Sequence, residues 1–444
     1  MAFVDGSLAT KFTVQFNLFG GTLIGLGTER HEKYLDGVDS LQTTGCFCLT
    51  ELGYGNNAVE METTAVWDDS EKKFTINTPT VNSQKFWITN GAYYANYAVV
   101  FAQTIIKSKN EGINVFIVRL RDENMNLSKG VTIDDMGYKM GLNGVDNARI
   151  ILRNVKVERT DILNNISDID EKGVFQSTIP GRRQRFLTAA NRLLSGRLCI
   201  ASMMISGTKM TLLITNKYGS KRLSNGKSGK SDTPIATYQL FQNQIVPLIC
   251  NTLVLNTGLL AIRKIYSDYS IKPENYNQDQ FNNIVRLCCF IKPMVAWNAC
   301  ETGNICRERC GGQGFLSINR VEALIYSAHS GMTAEGDSAV LMQKVSKEYV
   351  EDFVKKIVEA PKLSQCPLEN AKKDDVMQLE TLDNLLKVRE TKLLESLAEK
   401  TMNNMDNLFK VWMLEETNLI QDLAMIHGER YCFEAAQFEF ANKR

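Results

Sequence analysis

The sequence changes its hydrophobic pattern near its middle, and this change constrains the fold more than any other feature. Between about Gly45 and Val157, short β-type runs alternate with turn signals. The β-type runs are ETTAVW, FTIN, AVVFAQ, NVFIVRL and ARIILRNVKV. From Arg185 to about Ser346 the runs become long and helical in period, and they are apolar on most faces, which is typical of helices inside a bundle. The pattern therefore predicts an α+β chain, with an antiparallel β domain followed by a helical bundle.

A polar connector from Ile166 to Arg185, which contains a Pro-Gly step at Pro180, separates these two parts. Beyond Lys347 the chain stays helical in pattern but becomes highly charged. Its apolar residues keep roughly helical spacing: Leu382, Leu385, Leu386, Leu393, Leu397, Met405, Leu408, Phe409 and Trp412. We therefore expect a β domain over 45–165, a bundle domain over 166–346 and a second helical region over 347–444.

The charge balance limits the partners of the chain. Fifty-one Lys and Arg residues oppose fifty Asp and Glu residues, so no chain-wide field attracts nucleic acid or an anionic membrane surface. The run from Leu240 to Ile262 has no charged residue and is long enough to span a bilayer, but it contains several Asn, Gln and Thr residues. We expect this run to be a helix buried among other helices, and we expect neither a nucleic-acid partner nor a membrane span.

The cysteine and histidine counts narrow the chemistry. The eleven cysteines are scattered and form no CxxC pair, which favours buried free thiols in a reducing compartment. The three histidines, His31, His329 and His427, are too far apart in sequence to suggest a histidine-based zinc site. We therefore expect no metal. The first residues show no secretory pattern and the final FEFANKR is not an SKL-type peroxisomal signal, so neither end names a compartment.

Two glycine-rich segments could approach a phosphate or another ligand. GKSGKSDT, from Gly226, resembles a P-loop only superficially, because Ser224 stands where that motif requires glycine and no strand precedes it. We interpret it as an interruption between two bundle helices. CGGQGF, from Cys310 to Phe315, would let a ligand approach the backbone closely, although a turn between two helices would look the same.

Two further segments carry side chains suited to chemistry. KFWITNGA, from Lys85 to Ala92, places an aromatic residue beside a hydroxyl and could stack on a flat polar ring; alternatively, it is a buried Trp before a hairpin turn. TAEGDSAVLMQKVSKE, from Thr333, offers the carboxylate of Glu335 near the start of an amphipathic helix. That carboxylate is either a reactive group or an ordinary acidic residue that stabilises a helix N-terminus.

Taken together, the motifs occur in the order seen in one family. CFCLTELGYGNN, TPTVNSQKFWITNGAYYANYAVVFAQ, RLLSGRLCIA, CGGQGF and GMTAEGD resemble the acyl-CoA oxidase and acyl-CoA dehydrogenase superfamily over nearly the whole chain. ETTA after TELGYGNN and the charged helical region after Ser346 resemble the oxidase branch. The resemblance implies an acyl-CoA dehydrogenase-like α+β fold, with a middle β domain, a C-terminal four-helix bundle and part of a second helical domain.

The resemblance also implies a cofactor and its binding residues. Superfamily members hold FAD between the middle β domain and the bundle, and residues of a dimer partner complete the flavin site. By motif match, Thr50 would bind the flavin ring and Asn56 would lie near the flavin or the CoA phosphates. Arg222 would reach the FAD pyrophosphate across the interface of a homodimer. The remaining cofactor residues implied are Trp87 and Thr89 beside the flavin, and Gly311, Gly312 and Gly314 near the adenine end of the partner's FAD.

Glu335 matches the catalytic base of the family. It would remove the α proton of an acyl-CoA while the β hydrogen leaves as hydride to the flavin, giving a trans-2-enoyl-CoA. In an oxidase O₂ then takes the electrons and becomes hydrogen peroxide, in the first step of fatty-acid β-oxidation. Arg192 matches a substrate-side arginine. The alternatives are a dehydrogenase that uses an electron-transfer flavoprotein, or a truncated relative without turnover.

The chain also departs from the family pattern. It begins only about fifty residues before TELGYGNN, so we expect residues 1–44 to be a remnant of the N-terminal helical domain. We likewise expect the second helical region over 347–444 to be incomplete. The family resemblance predicts a peroxisomal location, with a mitochondrial one as the alternative.

Overall fold

The computed structural model describes residues 4–362 and 378–442. The chain divides into two compact units, Met1–Gly196 and Arg197–Arg444. Cys366 lies outside the described residues. The domain boundaries expected from the sequence stay predictions.

The first unit begins with short helices and continues as β structure. The helices are α1 (Gly6–Phe12), α2 (Gly21–Leu26) and α3 (Glu32–Leu35), with a π-helical segment, Thr13–Gly20, between α1 and α2. The strands are β1 (Gly45–Cys48), β2 (Thr64–Asp68), β3 (Lys73–Asn77), β4 (Lys85–Thr89), β5 (Tyr97–Ile106), β6 (Lys109–Arg119), β7 (Val131–Asp135), β8 (Asn147–Leu152) and β9 (Val155–Glu158). The predicted connector contains a hairpin of β10 (Ser167–Ile169) and β11 (Phe175–Ser177), and α4 (Arg182–Ala189) follows it.

The strands form a six-stranded and a three-stranded sheet. The larger sheet has the order β1-β5-β2-β3-β9, with β6 on β5, and the smaller one has the order β4-β8-β7. The expectation of an antiparallel domain is corrected at two pairs, because β5 runs parallel to both β1 and β2. Side-chain periodicity indicates which residues are buried but carries no strand direction, and the chain between β2 and β5 is long enough for a crossover. The sheet is therefore mixed.

Strand β5 is buried on both faces, and this organises the core of the first unit. Ala98, Val100 and Ala102 belong to one apolar cluster, which also contains side chains of the three-stranded sheet. Val99 and Phe101 belong to another cluster, which contains side chains of the N-terminal helices and of α4. Because alternate residues of a strand face opposite sides, this double burial explains the nearly continuous apolar run AVVFA.

A fully buried ion pair joins the loop after β1 to the start of β4. Lys85 Nζ lies 3.0 Å from Glu51 Oε1, and both side chains are inaccessible to solvent. The ammonium also donates to the carbonyls of Leu49 and Phe101, while the Glu51 carboxylate accepts from the backbone N–H groups of Glu62 and Thr63. Every polar group of the pair therefore has partners, and the pair fixes the loop that follows β1 against β4.

The second unit is helical. Its elements are α5 (Arg192–Lys221, whose first residues belong to the first unit), the hairpin β12 (Leu223–Asn225) and β13 (Ser231–Pro234), α6 (Gln239–Ile271), α7 (Gln278–Arg309), α8 (Val321–Thr333), α9 (Ser338–Val354), α10 (Leu379–Met402), α11 (Leu408–Lys410) and α12 (Thr417–Ala441). Helix α7 is central, because it packs against α6, α8, α9 and α12 and is buried over most of its second half. At Gly331 of α8 an added Cβ would meet Met204 Sδ at 2.6 Å, so a larger residue would push α8 away from α5.

Helix α6 contains the long uncharged run and is buried on one face only. By length and composition, α6 and the stretch Arg182–Lys221 could each cross a membrane, a test that core helices of globular proteins also pass. One face of α6 packs against α7 and α12, as predicted for a bundle helix. The expectation of burial all round is corrected, because Val246, Leu253 and Leu260 are about half exposed and lie seven residues apart on one stripe.

The charged helices after Lys347 form their own core. Leu393, Leu397 and Trp412 join Tyr349 and Ile420 in one apolar cluster, as the helical spacing predicts. By contrast Leu385, Met405 and Phe409 are exposed, because they fall on outward faces or in the irregular segment between α10 and α12. The buried Glu390 carboxylate binds both His427 Nδ1 and the Arg430 guanidinium, which ties α10 to α12.

Replacing Lys85 by Met tests the buried pair. The Lys85→Met variant leaves the Glu51 carboxylate buried without its cation, so we expect the free energy of unfolding of the first unit to fall by about 3–5 kcal/mol. Urea denaturation followed by tryptophan fluorescence measures this, because Trp67 lies in the adjoining cluster. Lys73→Met, which breaks the exposed Lys73–Glu158 pair of the same sheet, is the control and should have a far smaller effect. Equal midpoints for the two variants would contradict the interpretation.

Candidate active site

Glu335 lies in the four-residue turn between α8 and α9, where Asp337 caps the following helix. Asp337 Oδ1 accepts from the backbone N–H groups of Ala339 and Val340, at 3.0 and 3.2 Å. Glu335 accepts neither of these bonds. Its role as an ordinary helix-cap residue is therefore excluded, because Asp337 occupies that position.

The Glu335 carboxylate is buried without a partner. The residue as a whole is partly exposed, but its Oε2 is buried and has no hydrogen bond among the described residues. Burial raises the pKa of Glu335 to about 7, while the positive charges of Arg197 and Lys292 oppose this rise. A carboxylate in this state accepts protons near neutral pH, as a general base does.

The backbone around Glu335 is strained and held in place. Glu335 has φ 59°, in the left-handed region that residues with a Cβ seldom adopt, and Gly336 follows at φ 106°. Arg197 Nε donates to the Glu335 carbonyl at 3.2 Å, and Lys292 Nζ donates to the carbonyls of Met332 and Gly336. Such a conformation persists only where its surroundings determine it, and it clusters at functional sites.

In the first unit, Trp87 and Thr89 lie near the end of β4. The pairing of β4 with β8 shifts register between Lys85 and Ile88, and Trp87 within this irregularity has φ 60°. Its side chain is 56% exposed, which excludes the buried-Trp alternative. Thr89 Oγ1 accepts from Asn147 Nδ2 at 3.1 Å. The indole is thus an exposed flat surface beside a fixed hydroxyl.

Thr50 and Asn56 lie in the loop after β1. The Thr50 carbonyl accepts from the Phe86 N–H at 3.0 Å, which fixes Thr50 beside β4. Asn56 is exposed in the turn that follows. The structure therefore brings Thr50 close to the strand that carries Trp87, and the buried pair of Lys85 with Glu51 supports both segments.

In the second unit, Arg222 follows the end of α5. Its side chain is exposed and makes no ion pair or hydrogen bond to the described part of the chain. The hairpin β12–β13 follows and contains the GKSGKSDT segment, which confirms that this segment interrupts two bundle helices. The expectation that no strand precedes the segment is corrected, because β12 ends at Asn225, directly before Gly226. No helix begins at its glycines, however, as a phosphate-binding loop would require.

The CGGQGF segment forms a 3-10 turn, Gly311–Phe315, at the end of α7. A Cβ added at Gly311 or Gly312 would meet no atom within 4 Å, so both glycines face open space. A Cβ at Gly314 would lie 2.4 Å from the Arg307 carbonyl oxygen, so Gly314 is required by the turn itself. The helix-end interpretation is thus confirmed, and it leaves Gly311 and Gly312 accessible to a ligand. The side chain of Arg192 lies outside the described part of the structure.

Sequence reasoning missed the two cations that surround Glu335. Arg197 stands within the quoted motif RLLSGRLCIA but had no assigned role. Lys292 interrupts the apolar run LCCFIKPMVAW of α7, and a single lysine in an otherwise buried helix face was the signal that could have identified it. Their contacts with the loop around Glu335 depend on helix packing, which the sequence pattern does not contain.

Comparison with known proteins identifies two family domains. Residues 191–350 match the acyl-CoA oxidase C-alpha1 domain, and residues 46–155 match the acyl-CoA dehydrogenase middle domain. Acyl-coenzyme A oxidase 2, peroxisomal, of Arabidopsis thaliana is 32% identical over 361 residues, which are 80% of this chain and 52% of that protein. Human peroxisomal acyl-coenzyme A oxidase 3 is 31% identical, over 77% of this chain and 50% of that protein. The chain thus spans about half the length of the curated relatives it matches.

Solved structures show the same fold. The crystal structure of acyl-CoA oxidase 1 from Yarrowia lipolytica matches with a TM-score of 0.90 and 25% identity, over 99% of this chain and 68% of that one. Acyl-CoA oxidase-2 of Caenorhabditis elegans, crystallised with FAD, ascaroside-CoA and ATP, matches with a TM-score of 0.85 and 23% identity, over 96% and 65%. These likenesses confirm the predicted acyl-CoA dehydrogenase-like fold class. The chain belongs to the acyl-CoA oxidase family.

Proposed function

We propose that this chain catalyses the FAD-dependent oxidation of acyl-CoA to trans-2-enoyl-CoA, with O₂ as electron acceptor and hydrogen peroxide as product. The observation that carries the proposal is the Glu335 carboxylate, whose buried Oε2 has no partner in the described part of the chain and whose pKa burial raises to about 7. An unperturbed glutamate, with a pKa of about 4.3, is a weak base toward the α proton of a thioester. The desolvated Glu335 carboxylate is a stronger one.

The backbone of Glu335 supplies a second element of the proposed reaction. Its N–H group donates to no acceptor among the described residues and is therefore available to the thioester carbonyl of a substrate. Negative charge develops on that carbonyl as the α proton leaves, and a donor already aimed at it lowers the barrier. One residue would thus remove the proton and stabilise the charge that results.

Each unit, taken by itself, has exposed residues of types that suit a flavin nucleotide. In the first unit Trp87 offers a flat surface, and Thr50 and Thr89 lie on fixed backbone near it. In the second unit the Arg222 guanidinium, which has no partner in the described part of the chain, suits a pyrophosphate. Gly311 and Gly312 leave open space at the end of α7. These residues, with Asn56 and Gly314, would hold FAD. Bound FAD supplies the acceptor for the β hydrogen and the route of electrons to O₂.

We propose that the protein is a homodimer, and the surface of α6 supports this. Its stripe of Val246, Leu253 and Leu260 is apolar and about half exposed. Stripes with this seven-residue spacing commonly pack against another helix. Arg222 follows α5 and has no counter-ion among the residues that the structure describes, which suits a phosphate bound mainly by a second copy.

The names of the relatives also support a proposed cellular compartment and a proposed electron acceptor. Relatives from Arabidopsis thaliana and Homo sapiens are named peroxisomal, which supports a peroxisomal location over the mitochondrial alternative. The relatives named here are oxidases, which favours O₂ over an electron-transfer flavoprotein. Arg192 remains a proposed substrate-side residue. The intact Glu335 loop argues against a relative without turnover.

Hydrogen peroxide formation tests the proposed reaction. The purified protein, loaded with FAD and mixed with saturated acyl-CoA thioesters of graded chain length in aerated buffer, should form peroxide and enoyl-CoA in equal amounts. A peroxidase-coupled assay measures the first and absorbance of the enoyl thioester the second. If reduced flavin persists in air and only an electron-transfer flavoprotein reoxidises it, the protein is a dehydrogenase. If no acyl-CoA reduces the flavin, the chain has no turnover.

Substitution of Glu335 tests the base. Glu335→Gln keeps the size of the side chain but removes its proton-accepting capacity, so flavin reduction should slow by about 10³-fold while FAD stays bound. Glu335→Asp should retain part of the rate, because the carboxylate is only withdrawn by one methylene. Stopped-flow absorbance under anaerobic conditions measures both. A rate near that of the wild type in Glu335→Gln would remove Glu335 from the mechanism.

Disruption of α6 tests the dimer. In Leu253→Asp a charge replaces the centre of the apolar stripe, so the protein should elute as a monomer and lose bound FAD. Leu385→Asp, at an exposed apolar position of α10, is the matched control and should change neither property. Size-exclusion chromatography with light scattering and the flavin spectrum measures both. A monomeric Leu253→Asp protein that retains stoichiometric FAD would show that the partner contributes nothing to the cofactor site.

A further inference from the structure

Lys292 is fully buried in the middle of α7. Its solvent exposure is 0%, and the neighbouring residues Phe290, Ile291 and Met294 are also buried. Lysine is almost never found in such a position unless its ammonium group is bound, because an unpaired buried charge costs several kcal/mol. Since no other part of the proposed mechanism uses Lys292, its contacts indicate what this buried charge does.

The ammonium group binds both sides of the turn that contains Glu335. It donates to the Gly336 carbonyl at 2.6 Å, to the Met332 carbonyl at 3.0 Å and to Ser338 Oγ at 3.4 Å. Met332 lies in the last turn of α8, where backbone carbonyls have no partner within the helix. Ser338 Oγ also donates to the Met332 carbonyl, at 2.7 Å. Lys292 therefore adds a charged donor that links the end of α8 and the turn after it to α7.

The same ammonium leaves the carboxylate of Glu335 free. Within the described residues Lys292 forms no ion pair with Glu335 or Asp337, and Asp337 is engaged in the cap of α9. An ion pair would hold Glu335 ionised and lower its basicity. Lys292 instead binds the backbone on either side of Glu335, and only its longer-range charge reaches the carboxylate.

The strain at Glu335 explains why such a clamp is needed. A residue with a Cβ at φ 59° costs about 1–3 kcal/mol and relaxes unless surrounding contacts prevent it. Arg197 holds the Glu335 carbonyl itself, and Lys292 holds the carbonyls of Met332 and Gly336. Without Lys292, the residues flanking Glu335 lose their shared anchor to α7.

We propose that Lys292 is a positioning residue for Glu335, whose buried ammonium group clamps the turn between α8 and α9 so that the carboxylate faces the substrate unpaired. This inference rests on the proposed role of Glu335 as the base. Lys292 would then contribute to the reaction through the position of Glu335, without touching the substrate.

Hydrogen exchange in the turn tests the clamp without reference to activity. In the Lys292→Met protein, amides of residues 334–340 should exchange about tenfold faster than in the wild type, because hydrogen bonds from a charged donor are lost. Arg286→Met removes another buried cation of α7, one that pairs with Asp352 and not with the turn, and is the matched control. Unchanged exchange of residues 334–340 in Lys292→Met would overturn the proposal.

The pH dependence of flavin reduction distinguishes positioning from a loss of stability. In the wild type the rate should rise with pH through about 7 as Glu335 loses its proton. The charges that act on Glu335 are Arg197 on α5 and Lys292 on α7, and Asp337 of the same turn faces Lys292. In Lys292→Met the plateau should fall by about 10²-fold from misplacement, and the midpoint should move to higher pH because an opposing positive charge is gone.

One further variant, together with Glu335→Gln, separates the possible failures. If Lys292→Met does not fold, Lys292→Gln keeps a donor without the charge, and its midpoint should move in the same direction. A wild-type pH profile in whichever variant folds would overturn the proposal. If instead Glu335→Gln reduces flavin at the wild-type rate, the proposed role of Glu335 as the base fails, whereas the exchange of residues 334–340 still reports whether Lys292 holds the turn.

Discussion

The second unit depends on keeping one carboxylate buried and unpaired. Three polar groups surround Glu335, and each binds backbone: Arg197 at its carbonyl, Lys292 at the flanking carbonyls and Asp337 at the N–H groups of α9. If Arg197 or Lys292 bound the carboxylate instead, the proton affinity of Glu335 would fall and its freedom to reach a ligand would be lost. The packing of α5, α7 and α8 around the turn thus directs the positive groups of Arg197 and Lys292 to backbone carbonyls and leaves Glu335 Oε2 without a hydrogen bond among the described residues.

In the first unit, by contrast, a buried carboxylate is paired with a buried cation. Lys85 and Glu51 are both fully buried and bind each other, with the remaining positions filled by backbone groups. A pair of this kind adds little net stability compared with apolar residues, but it fixes one arrangement of the segments it joins. Those segments carry Thr50 and Trp87. Within the described residues Lys292 has no ion-pair partner, and its ammonium group binds the backbone of the Glu335 turn instead.

Local features could be predicted from the sequence, and features that depend on distant packing could not. The β2–β3 hairpin, the helix over Leu240 to Ile262 and the turn at CGGQGF follow from periodicity and turn residues, and the structure has each of them. The parallel neighbours of β5 and the exposed stripe of α6 were not predicted, because strand direction and the choice of buried helix face are set by tertiary contacts. For the same reason Glu335 was identified by its motif, whereas Lys292, forty-three positions earlier in the sequence, was not.

In the sequence AEGD, which follows α8, the roles of helix cap and reactive carboxylate fall on two different residues. From the sequence alone, both roles were open for Glu335. A carboxylate near a helix N-terminus either caps the helix or reacts, since a cap accepts the N–H groups that a free base must avoid. Asp337 takes the cap, and Gly336 at φ 106° provides the tight bend that separates it from Glu335. Because the helix is already capped, Glu335 can turn into the interior, where burial rather than hydrogen bonding sets its pKa. Because Asp337 caps α9, Glu335 is not needed as the cap and its carboxylate can act as a base.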